Sequence, residues 1–236
     1  MIMILPMMFC MVVAYLIGSI SPGILAGKIA GKGDIRQYGS HGTGATNVQR
    51  TLGTTAGIIV FFLDAFKGVI AVFVAKWVFG MFWPDWLGGI ILEGFLSGRG
   101  AFLQSTFTLL LAISAILGHI FPAYYRFKGG KGVATTFAIL MVADWRVGLL
   151  AFAVFLAVVF LTRYISLGSI TGAIAYFVIA FAFPEPIAPW HIGFGDLLTF
   201  AGVVVAIFVY THRTNIRRLL AGKENKISFK KKEKTA

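Results

Sequence analysis

The chain has 236 residues, of which 58% are hydrophobic and only 13% charged, and apolar runs long enough to cross a bilayer recur from end to end. This excludes a soluble core with a single anchor and points to an all-α, polytopic membrane domain over 1–228, followed by a basic tail at 229–236. The net charge of +12 does not signal nucleic acid, because the basic residues sit in short connections and in Lys230-Lys231-Lys232-Glu233-Lys234, where anionic lipid headgroups are the natural partner. A single cysteine, Cys10, excludes an internal disulfide framework and a cysteine-based metal cluster.

The first span is predicted over 5–29 and has no preceding basic region, so it reads as a retained helix and not a cleaved leader. Six more follow at 54–80, 102–125, 131–145, 147–163, 165–184 and 195–212. Residues 81–101, broken by Pro84, Asp85, Gly98 and Arg99, read as an outer loop with an interfacial helix. The fourth span would cover only about 21–23 Å at about 1.5 Å per residue, against a hydrocarbon core of about 30 Å. Either its glycine-rich start lies below the headgroup plane or the bilayer thins there, and both place that start where water-soluble and lipid-soluble molecules meet. Seventeen lysines and arginines fall on one face of this arrangement, with Arg99 and Arg146 opposite and Lys67 and Lys76 inside the second span. That asymmetry makes the basic face cytoplasmic, with the N-terminus outside and the C-terminus inside.

Three constellations gather on the basic face. Gly39-Ser40-His41-Gly42-Thr43-Gly44-Ala45-Thr46-Asn47-Val48-Gln49-Arg50 is dense in small residues, hydroxyls and amides. Ser40, Thr46 and Asn47 offer hydrogen bonds to a polyol or phosphate, and Arg50 offers a planar fork for phosphate. The second, Phe127-Lys128-Gly129-Gly130-Lys131-Gly132-Val133-Ala134-Thr135, sets Gly129, Gly130, Gly132 and Lys131 at the mouth of an apolar helix. Uncovered N–H groups, a positive helix end and two ammonium groups would make an oxyanion site there. A basic interfacial turn is the plainer alternative, and the spacing is not that of a Walker A loop. The third runs from His212 to Glu224, with His212, Asn215 and Arg218 on one broad helical face. His212 is suited to act as a base, a phosphate donor or a positioning group. Inside the membrane, Asp64 and Lys67 at i, i+3 read as a structural ion pair, and His119 as a packing or hydrogen-bonding residue.

This ordered set closely resembles the bacterial acyl-phosphate:glycerol-3-phosphate acyltransferases. The likeness also takes in Gly18-Ser19-Ile20, Leu63-Asp64-Ala65-Phe66-Lys67-Gly68, Leu117-Gly118-His119-Ile120-Phe121-Pro122 and Arg163-Tyr164-Ile165-Ser166-Leu167-Gly168-Ser169. It implies seven helices in a bacterial inner membrane with the active site facing the cytoplasm. It implies transfer of a fatty acyl group from acyl phosphate to the 1-hydroxyl of glycerol 3-phosphate, the first step of phospholipid synthesis, without cofactor, metal or obligate protein partner. Active-site roles are implied for Ser40, Arg50, Lys131, Ser169, His212 and Asn215. Two departures stand out: His41-Gly42 replaces the usual Gly-Asn, and Ser21 intervenes before Pro22. A transporter for an organic phosphate and a non-catalytic lipid-binding scaffold are the rival readings.

Overall fold

The structure is a computed structural model and describes residues 4–82, 99–185 and 193–227. Among them the regular elements are all helical: α1 (Ile4–Gly18), α2 (Pro22–Ile29), α3 (Ala45–Leu52), α4 (Thr54–Phe82), α5 (Arg99–Ile120), α6 (Val133–Ala143), α7 (Trp145–Thr162), α8 (Ile165–Ala180), α9 (Phe194–Thr211) and α10 (Arg213–Leu220). Five segments, Ile4–Ile29, Thr54–Met81, Ser105–Tyr125, Trp145–Thr162 and Phe194–Thr211, are long and apolar enough to cross a membrane. The other two expected spans are the shorter apolar helices α6 and α8, of 11 and 16 residues. Most of the expected outer loop, 83–98, and the basic tail from 228 onward lie outside the described residues.

The first expected span is two helices. Pro22 cannot donate to the ladder and holds Ser21 extended (φ −112°, ψ 94°), which interrupts the chain at Ser19–Ser21. The break is re-satisfied by side chains: Ile20 O accepts from Lys67 Nζ at 2.6 Å, and Ser19 Oγ donates to Tyr15 O at 2.8 Å while accepting from Ala123 N at 3.2 Å. A second difference is α3, an eight-residue helix where a loop was expected, closed by Gly53 at φ 97°. The last helix also bends, at His212, so that α10 is separate from α9.

The fold divides into two compact units, Met1–Trp145 with Glu185–Leu197, and Arg146–Pro184 with Leu198–Ala236. In the first, α1 packs on α5 and α4, α3 lies on α4, and α4 also carries α6. At the α1–α5 crossing a Cβ on Gly18 would collide with the Ala115 carbonyl, and one on Gly118 with the Tyr15 carbonyl. Beneath the first basic loop, Ile24, Ile35, Val48 and Val60 form a core, with Tyr125 packed on it. Inside α4, Asp64 and Lys67 do form the ion pair expected from their spacing, at 2.8 Å, with side chains 3% and 8% exposed. In the second unit, Gly168 and Gly172 bring α8 close to Phe155 of α7, and α8 packs against α10.

Candidate active site

The first loop is organised by one buried amide. Asn47, 2% exposed at the start of α3, accepts at Oδ1 from Ser40 N (2.6 Å) and Ser40 Oγ (3.2 Å). Its Nδ2 donates to Ile35 O (3.0 Å) and Gly42 O (2.8 Å). The amide thus fastens both sides of the loop, a part its residue type did not distinguish from ligand binding. Ser40 is exposed beside it, Thr46 is half-buried, and Arg50 is exposed in the last turn of α3. His41 holds φ 58°, a conformation uncommon for a residue with a side chain, and its Nδ1 lies 3.0 Å from Arg36 O.

Arg36 joins this loop to the glycine turn. Its Nη1 donates to Tyr125 O at 3.0 Å and Lys128 O at 2.6 Å, while Nε and Nη2 hold the Asp34 carboxylate. That hydrogen-bonded guanidinium keeps the Asp34 carboxyl below the ordinary carboxylate range, and the carboxylate in turn raises Arg36. The turn itself is fastened to the end of α5, where Gly129 N donates to Ile120 O (3.1 Å) and Gly130 N to His119 O (3.2 Å). Two N–H groups expected to face a ligand therefore cap α5 instead. The start of α6 follows, with Lys131 just before it, Gly132 at its N-cap in the left-handed region at φ 79°, and first N–H groups that have no intrahelical acceptor. Thr43 closes the contact between loop and turn, its Oγ1 lying 3.1 Å from where a Cβ on Gly130 would stand.

The second unit contains the remaining expected residues. Ser169, 3% exposed on α8, donates to Ile165 O at 2.8 Å. His212, 1% exposed between α9 and α10, has Nδ1 2.9 Å from Phe208 O, and since a carbonyl only accepts, the neutral ring carries its proton on Nδ1 and its lone pair on Nε2. Asn215 Nδ2 donates to Glu224 Oε1 at 2.8 Å, Arg218 Nε to Glu224 Oε2 at 2.7 Å, and Ser166 Oγ to Glu224 Oε1 at 3.2 Å. Burial alone would raise the Glu224 carboxyl, but Arg218, Asn215 and Ser166 together hold it below its usual value. Glu224 and Arg36 are the residues to which sequence reasoning gave no role. For Glu224 a signal existed, since among the many cations after His212 the only acids are Glu224 and Glu233.

Known proteins are similar to this chain along most of its length. The family described as glycerol-3-phosphate acyltransferase matches residues 8–222. Among curated relatives, the glycerol-3-phosphate acyltransferase of Thermoanaerobacter pseudethanolicus is 36% identical over 93% of this chain and 94% of its own length. That of Synechocystis sp. is 41% identical over 93% of this chain and 90% of its own. A crystal structure of PlsY, an integral membrane glycerol 3-phosphate acyltransferase in its glycerol 3-phosphate form, superposes with a TM-score of 0.74 at 35% identity, covering 94% of this chain and 96% of that one. The lysophosphatidic acid form of PlsY gives a TM-score of 0.72 at 34% identity, covering 94% of this chain and 95% of that one. The fold and loops thus define a membrane-embedded acyltransferase. This chain belongs to the glycerol-3-phosphate acyltransferase family.

Proposed function

We propose that this enzyme transfers a fatty acyl group from an acyl phosphate to the 1-hydroxyl of glycerol 3-phosphate, releasing lysophosphatidic acid and inorganic phosphate. The observation that carries this reading is the Arg36 bridge, which ties the Ser40 loop to the Lys131 turn and makes one cationic structure of them. An acyl phosphate is a mixed anhydride and already activated, so alignment and charge stabilisation suffice. Lys131 and the start of α6 receive the donor's phosphate. Arg50, Ser40 and Thr46 address the acceptor's phosphate and hydroxyls, while Asn47 and Gly132 shape the surfaces that bind. The acceptor's 1-hydroxyl oxygen attacks the acyl carbonyl carbon, the bond from that carbon to the phosphate oxygen breaks, and phosphate leaves with the electron pair. His212 accepts the hydroxyl proton at Nε2, since Nδ1 is committed to Phe208 O. Asn215 hydrogen-bonds the acceptor, and Ser169 lines the acyl path.

Seven crossings of a bacterial inner membrane, N-terminus outside, fit the charge asymmetry, with α6 and α8 as short spans. Cysteine labelling at positions 32, 128 and 217 tests it: all three should react from the cytoplasmic side, and a split result rejects the topology. For the reaction, purified protein is incubated with glycerol 3-phosphate and, separately, an acyl phosphate, an acyl-CoA or an acyl carrier protein. Lysophosphatidate and phosphate should appear in equal amounts with acyl phosphate. Uptake of labelled glycerol 3-phosphate into proteoliposomes without lipid product would instead establish transport.

A further inference from the structure

Three ionisable groups lie buried beneath the glycine turn, and the reaction as described uses none of them. Lys67 Nζ donates to Ile20 O at 2.6 Å, in the break between α1 and α2, and stands 2.8 Å from Asp64 Oδ1. The same carboxylate oxygen lies 3.2 Å from His119 Nδ1, with both side chains 3–4% exposed. Asp64 Oδ1 is thus shared between the ammonium and the imidazole. Thr135 Oγ1 donates to Asp64 O at 2.7 Å and lies 3.3 Å from His119 Nδ1. Its proton is thereby committed, so it accepts from the imidazole, and the neutral ring carries its hydrogen on Nδ1.

The far side of the ring bears on the turn. A Cβ added to Gly130 would collide with His119 Nε2, and the His119 carbonyl accepts from Gly130 N at 3.2 Å. One residue thus touches Gly130 from its side chain and its backbone at once. Simple packing would be served by an apolar side chain at this depth, without the desolvation of an ammonium and a carboxylate. We infer that His119 is a positioning residue for the phosphate-binding turn, its ring fixed by Asp64, Lys67 and Thr135 so that the Gly129–Lys131 segment stands at one depth below the headgroups. The inference rests on the proposal that Lys131 receives the donor's phosphate. A group held within about half an ångström by such support is what a preorganised oxyanion site requires.

Steady-state kinetics of the purified full chain, with acyl phosphate as the varied substrate and inorganic phosphate as product inhibitor, test this alongside thermal unfolding. His119→Ala should raise both the donor KM and the phosphate inhibition constant about tenfold or more, with kcat within about threefold. His119→Asn, whose amide nitrogen replaces Nδ1 and still reaches Asp64, should recover most of that loss. His119→Gln places its amide near Nε2 but loses Asp64, and should resemble His119→Ala; it also serves where His119→Ala does not fold. Lower melting temperature with unchanged KM and inhibition constant would reduce His119 to a core residue and overturn the inference. So would equal defects in the Asn and Gln variants. Wild-type protein that neither turns over acyl phosphate nor is inhibited by phosphate would instead overturn the functional reading itself.

Discussion

Asn47→Ala separates a loop-holding amide from a substrate contact. The change removes four hydrogen bonds, to Ser40 N, Ser40 Oγ, Ile35 O and Gly42 O. Ser40 is exposed, so water replaces its two bonds at little net cost. Ile35 O keeps the Tyr38 N donor at 3.2 Å, so losing the Asn47 bond there costs about 0.5–1.5 kcal/mol, to which the Gly42 bond adds about 1 kcal/mol. Local opening of the loop should therefore become easier by about 1.5–2.5 kcal/mol, which is about 10- to 70-fold in an opening equilibrium. Amide hydrogen exchange read by mass spectrometry over residues 39–48 reports this directly, because Ser40 N is itself one of the protected donors. Asn47→Asp should behave at least as badly, since an oxygen then faces two carbonyl oxygens. Turnover should fall in both variants through displacement of Ser40 and Thr43. If exchange in the loop stays at its wild-type rate while the acceptor KM rises, the reasoning is refuted and Asn47 is a ligand group.

Lys131→Ala should abolish nearly all turnover while Lys76→Ala leaves it close to wild type; equal activity of a folded Lys131→Ala protein removes the proposed pocket. Glu224 has a folded-state pKa below its unfolded value of about 4.3, so its stabilising contribution is present above that value and lost as pH falls through the lower, folded one. Melting temperature should drop through that acidic window in wild type and be flatter there in Glu224→Gln, which already lacks the charge; parallel profiles would contradict the assignment. Gly168→Ala places a Cβ 2.5 Å from Val159 Cγ2 and 3.0 Å from Phe155 O, and should destabilise the protein by about 1–3 kcal/mol in chemical or thermal unfolding. An unchanged transition would mean α7 and α8 move apart freely.

Long apolar helices were legible in the residues because burial in lipid writes itself as uninterrupted hydropathy, and α4, α7 and α9 lie close to where that pattern put them. Two features escaped it. The helix α3 is short and mixed in polarity, so no hydropathy window reveals it; it stands because Val48 packs with Val60 of α4 and Asn47 ties it to the loop before it. The break at Ser19–Ser21 was marked by Pro22, yet its stability comes from Lys67, forty-seven positions away, and no local rule connects them. In the site, residue types were readable but their tasks were not. Arg36 sits among cations that orientation in the membrane already explained, and only its reach to Lys128 O shows that it joins two loops. Gly129 and Gly130 suggested bare N–H groups, whereas the fold uses both to finish α5.

The mutual approach of α1 and α5 has one more outcome. With Gly18 set on the Ala115 carbonyl and Gly118 on the Tyr15 carbonyl, main chain meets main chain, and no gap of hydrocarbon width remains along that seam. A fatty acyl chain, such as the proposed donor carries, cannot slip in there from the surrounding lipid. An entry for it would have to lie elsewhere on the protein's flank, and widening either glycine would pry two backbones apart, not enlarge a binding groove.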